Sequence, residues 1–139
     1  MNSITRAKLK NKQPLNIICY GDSMTWGYND GNVQSATNYP AVLQAKMRYI
    51  YGYNQINVVN KGVSGCTSTE GLAGFQNQII RDTPDLLIMM WGLNDALYID
   101  TAQFIQNMRT MIQLAKDNNI EVILATQVPI ISRELGRVS

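Results

Sequence analysis

The sequence predicts an α/β protein built on a parallel sheet, and three observations predict it. Short apolar runs alternate with stretches long enough to cross back over a sheet as helices. The run at 85–91 is apolar on both alternations, as in a strand covered on both faces. Each of the first three runs empties into a polar, glycine-containing turn. With right-handed crossovers those three turns lie at one edge of the sheet, where side chains from distant parts of the chain meet.

In chain order, residues 1–14 read as an N-terminal arm, with Pro14 leading into the first strand at 15–20. The segment Gly21-Asp22-Ser23-Met24-Thr25-Trp26-Gly27 follows it, and its first glycine lets the chain turn sharply and bring Asp22 and Ser23 to the sheet edge. Residues 28–38, rich in Asn, Gly, Ser and Thr, form a loop. A helix then begins near Asn38-Tyr39-Pro40, places Leu43, Met47 and Ile50 on one face, and stops at Gly52. Tyr39, Tyr49, Tyr51 and Tyr53 are packing and surface aromatics, since only part of that set shares a face.

The second strand spans 56–60 and leads into Lys61-Gly62-Val63-Ser64-Gly65-Cys66. A shorter helix containing Leu72, Phe75, Ile79 and Ile80 follows, its start weakened by Gly71 and Gly74. The third strand at 85–91 runs into Gly92-Leu93-Asn94-Asp95. Asp100 or Thr101 caps a helix whose Phe104, Ile105, Met108, Met111, Ile112 and Ala115 form a broad apolar face ending at 117–119. A fourth strand at 120–125 precedes Val128-Pro129-Ile130-Ile131 and the stretch 132–139.

Composition narrows the function classes. With 45% apolar and 16% charged residues the chain suits one folded domain, and a net charge of +2 identifies no strong electrostatic partner. Arg6, Lys8, Lys10 and Lys12 are a solvated basic cluster, and no second basic cluster supports nucleic-acid binding. No apolar segment approaches the roughly twenty residues of a membrane span, so a soluble, cytoplasmic protein is expected. Cys19 reads as a small buried residue, and Cys66 lacks the histidine partner of a catalytic thiol. Two separated cysteines without histidine make no zinc site, and neither GxGxxG nor GxxxxGK[ST] follows a strand, so no metal or cofactor is expected.

Acyl transfer needs a nucleophile and donors aimed at the oxygen that becomes negative in the tetrahedral intermediate. Ser23 offers its hydroxyl and its backbone N–H, Gly65 a backbone N–H, and Asn94 a side-chain amide. The three blocks containing Gly21-Asp22-Ser23, Gly62-Val63-Ser64-Gly65 and Gly92-Leu93-Asn94-Asp95 resemble those of the SGNH hydrolase superfamily, the GDSL esterases and lipases, over about residues 15–131. The resemblance implies a three-layer α/β/α, flavodoxin-like fold with a central parallel sheet. It also implies Ser23 as nucleophile and oxyanion donor, Gly65 and Asn94 as further donors, and Asp22 and Asp95 as residues that orient the loops. The expected substrate is a small-molecule ester with a short acyl group, and Trp26, Tyr28 and Leu93 either line its pocket or serve packing.

One departure limits this reading. The family's Asp-x-x-His block has no counterpart here, because the 139 residues contain no histidine. A serine hydroxyl is a poor nucleophile without a base near neutrality, so very low turnover is expected. The expected domain plan is therefore an arm at 1–14 and a partial hydrolase domain at 15–139, incomplete at its C-terminus. Such a chain is a fragment of a longer esterase, a non-catalytic binding or structural module, or a unit completed by a different subunit. Apolar surface left open by truncation would favour oligomers.

Overall fold

The computed structural model describes residues 3–127. Four strands, β1 (Leu15–Gly21), β2 (Ile56–Gly62), β3 (Leu86–Met90) and β4 (Glu121–Leu124), form one sheet in the order β2-β1-β3-β4. All three pairings are parallel. The helices are α1 (Ile4–Lys10), α2 (Ser23–Trp26), α3 (Tyr39–Tyr51), α4 (Ser68–Gln78), α5 (Asp95–Tyr98) and α6 (Thr101–Asp117), with a 3-10 turn at Ile80–Asp82.

The chain winds outward from β1 to β2, then returns across β1 to β3 and on to β4. Right-handed crossovers consequently divide the helices between the two faces. On one face Ile18, Tyr20, Leu87 and Met89 pack with Phe75 of α4 and with Met111 and Ala115 of α6. On the other, Leu15, Ile17, Ile56 and Leu86 pack with Met47 of α3 and with Leu9 of α1. This is a three-layer α/β/α fold with a central parallel sheet of flavodoxin-like architecture. No helix among the described residues is long and apolar enough to cross a membrane.

Several elements differ from the sequence reading. Residues 4–10, expected within an arm, are helical: Ser3 caps α1, its hydroxyl donates to Glu121 of β4 at 2.8 Å, and Lys8 Nζ lies 2.6 Å from Asp85 Oδ1. These partners lie more than seventy residues away in sequence, so the seven-residue helix carried little local signal. Strand β2 continues to Gly62, two residues past its expected end. Ile50 is exposed in the last turn of α3, whereas Met47 faces the core. Ile79 caps α4 and Ile80 opens the 3-10 turn, so neither lies within the helix. The start of α4 is secured by a reciprocal capping box between Thr67 and Glu70 despite its glycines. Val128 to Ile131 and the stretch 132–139 lie outside the described residues.

Candidate active site

The parallel register brings the three turns together. Gly21 is paired with Gly62 on one side and with Met90 on the other, so the chain leaves three adjacent strands at one level. Ser23, Gly65 and Asn94 follow two, three and four residues beyond those positions. The first turn sits close against the second: a Cβ at Gly62 would lie 2.2 Å from Trp26 N, so only glycine admits α2 at this distance.

Ser23 opens α2 and is partly exposed, and its carbonyl accepts the N–H groups of Gly27 at 2.9 Å and Tyr28 at 3.1 Å. Asp22 caps the same helix and is fully buried. Its Oδ1 accepts Met24 N–H at 3.0 Å, its Oδ2 accepts Gln127 Nε2–H at 2.9 Å, and Gln127 Nε2 also reaches Met90 O at 3.5 Å. Burial raises the Asp22 pKa above the ordinary carboxylate value, and the nearby Asp95 charge pushes the same way against the hydrogen bonds the carboxylate accepts. Both oxygens of Asp22 are thus engaged, one of them in capping α2.

Gly65 has φ +81°, and a Cβ there would meet nothing within 4 Å. Its glycine therefore serves the left-handed backbone conformation rather than space. The residue is exposed at the turn ahead of α4, where its N–H can face a ligand. Two bonds tie this turn to the third one: Asn94 Nδ2 donates to Cys66 O at 2.8 Å, and Asp95 Oδ1 accepts Ser68 N–H at 2.8 Å. An amide nitrogen carries two hydrogens, so Asn94 retains a second one for a ligand oxygen. Below the turn, buried Asn107 of α6 donates to Ser68 Oγ and Thr69 Oγ1, both at 3.0 Å.

The remaining candidates divide by position. Leu93 lines an apolar groove of about 660 Å³ with Trp91, Phe104, Met108, Leu124 and Gln127. Trp26 and Tyr28 pack against each other, with ring centroids 6.5 Å apart. Burial, with Glu70 adding to it, pushes the Cys66 thiol up, the opposite of what a catalytic thiolate needs. Sequence reading missed Gln127 and Asn107. Asn107 carried a signal, as a polar residue on the otherwise apolar face of α6; Gln127 carried none, because its partner is 105 residues away.

A parallel α/β sheet that presents a serine turn, a left-handed glycine turn and an asparagine at one edge defines an SGNH-type hydrolase architecture. Residues 19–138 match the family model described as GDSL-like Lipase/Acylhydrolase family, and the chain belongs to that family. It is 26% identical over 126 residues to the uncharacterized lipoprotein YqeF of Bacillus subtilis strain 168, covering 83% of this chain and 49% of that protein. It is 28% identical over 109 residues to an arylesterase of Vibrio mimicus, covering 78% of this chain and 52% of that protein. Among solved structures, TesA superposes with a TM-score of 0.70 at 30% identity, over 81% of this chain and 61% of TesA. The chain thus spans about half the length of the curated relatives it matches.

Proposed function

We propose that this chain carries the nucleophile and oxyanion half of a serine ester hydrolase. Ser23 Oγ attacks the carbonyl carbon of an ester and loses its proton to a base, and the alcohol leaves from the tetrahedral intermediate to give an acyl-enzyme. Water then releases the acid. The Ser23 N–H, the Gly65 N–H and the free hydrogen of Asn94 Nδ2 are the donors for the intermediate's oxygen. The observation that carries this reading is the tie of Asn94 to Cys66 O, which joins the third turn to the second beside Gly65. The favoured substrates are short-chain carboxylic esters, and a relative that is an arylesterase supports this class.

The base is the missing part. With no histidine in the 139 residues and Asp22 occupied as a cap, activation of Ser23 requires a group from outside these residues. By itself the polypeptide turns over slowly or not at all. The same absence favours a second reading, in which the cleft holds an ester or another small polar ligand without cleaving it. Self-association over the β4 side of the sheet belongs to the proposal as well, because Ile123 and Leu124 are half exposed there.

Imidazole supplied in solution tests the hydrolase reading. Hydrolysis of phenyl acetate by the chain is expected to rise with imidazole well above the imidazole blank, and Ser23→Ala is expected to abolish the increment. An increment that survives Ser23→Ala removes Ser23 as nucleophile. Saturable ester binding with no Ser23-dependent increment selects the non-cleaving reading.

A further inference from the structure

Past β4, Gln127 reaches the candidate site. Gln127 Nε2 donates to Asp22 Oδ2 at 2.9 Å across 105 residues of sequence. Asp22 is fully buried and receives one further N–H donor, from Met24 within the Ser23 turn. Gln127 Nε2 also reaches Met90 O at 3.5 Å at the end of β3, and a Cβ at Gly92 of the third turn would lie 3.4 Å from Gln127 Cγ. Both partners of the carboxylate are donors, the complement of its ionised form. A buried carboxylate that loses a donor is left with uncompensated charge. Met24 offers a backbone group that any residue would supply. Gln127 is the side-chain donor, and therefore the one whose identity matters.

Met24 adjoins Ser23 and Gly92 lies two residues before Asn94, so Gln127 bridges the turn of the nucleophile and the turn of the amide donor. We propose that Gln127 is a positioning residue of the Ser23 site, holding the Asp22 carboxylate of the first turn against the base of the third turn. The role in catalysis rests on the reading of Ser23 as nucleophile; the clamp itself does not. Other groups act on Asp22 too: Asp95 of α5 repels its charge, and Tyr39 of α3 lies within electrostatic reach. Arg109 of α6 lines the same groove as Gln127. These groups are unchanged by substitution at 127.

The test follows the Asp22 carboxyl by NMR titration of the 139-residue chain, with amide exchange measured at Met24 and Leu93. Gln127→Leu is expected to move the Asp22 midpoint upward, and Gln127→Glu to move it further. Gln127→Lys, which restores a donor, is expected to bring the midpoint back down. Exchange at Met24 and Leu93 is expected to rise about tenfold in Gln127→Leu, the loss of one hydrogen bond to a charged group, with Ile17 and Leu87 unchanged. An Asp22 midpoint indifferent to all three variants overturns the proposal, and so does equal acceleration at Ile17 and Leu87. These readouts need no turnover, so a negative imidazole assay would sink the nucleophile reading and leave the clamp to be judged by itself.

Discussion

The two edges of the sheet are built differently. Along β2, α3 reaches over the edge: Arg48 Nε donates to Ile56 O at 2.8 Å and Gln44 Oε1 accepts Val58 N–H at 2.9 Å. Asn60 Oδ1 accepts Gly62 N–H at 2.9 Å at the end of the same strand. Side chains thus occupy outward-facing backbone groups that would otherwise pair with another strand. Along β4, the amides of Glu121 and Ala125 turn inward to Asp85 O and Met89 O, which leaves Val122 and Leu124 facing outward. Ile123 and Leu124 are 50% and 51% exposed, one toward each face of the sheet. One edge is finished by the described residues, and the other can receive a strand or a partner from outside them.

The largest effect expected from this contrast is on association. Replacing Ile123 and Leu124 together by Lys should weaken self-association about 100-fold or more, since two apolar side chains of about 1.5 kcal/mol each lose their burial. Val59→Lys, on the β2 side, should leave it unchanged. Sedimentation velocity across a concentration series reads both, and a wild-type chain that stays monomeric throughout would show that the β4 edge does not associate.

A smaller effect belongs to the finished edge. Arg48→Ala and Gln44→Ala should each cost about 1 kcal/mol in urea unfolding, the net worth of one hydrogen bond, and should make the β2 edge prone to pairing. No loss in either variant would mean that those bonds do not protect the strand.

The smallest effect concerns acid. Burial pushes the Glu121 carboxyl up, but hydrogen bonds from the Ser3 hydroxyl and from the Thr5 and Ile4 amides outweigh it and hold the pKa below the usual 4.5. Its contribution is therefore present above the unfolded value and lost as pH falls through the lowered folded value. Acid should loosen α1 from β4 while the Arg48 and Gln44 contacts persist, and Glu121→Gln should flatten that part of the stability profile. Amide exchange at Thr5 against Val58, followed between pH 6 and about pH 3, measures the difference.

How far the sequence showed this follows from the range of each interaction. β1, β3 and the apolar face of α6 were legible because their patterns are local: the two central strands are near-continuous apolar runs covered on both faces, and the α6 face follows the 3.6 period. The adjacency of the turns that carry Ser23, Gly65 and Asn94 was legible because crossover handedness places strand ends without any side-chain detail. Helix α1 was not, since Glu121 and Asp85, which hold it, are remote from it in sequence. Neither was the contact of Gln127 with Asp22 and Met90, for Gly21-Asp22-Ser23 says nothing of a residue beyond β4. Gly71 and Gly74 misled about the start of α4 because the capping box of Thr67 and Glu70 offsets their low helix propensity.

In the proposed site three separate turns present donors to one oxygen beside Ser23, and the 139 residues hold no histidine to serve as base. Titration with phenylboronic acid, followed by the NMR signals of the Ser23 and Gly65 amides and the Asn94 side-chain NH₂, tests it most directly. A boron atom that adds to Ser23 Oγ becomes tetrahedral and negative, as the ester intermediate would. All three signals should shift together in one saturable process that Ser23→Ala abolishes. Shifts that spare Gly65 and Asn94, or that persist in Ser23→Ala, would contradict it.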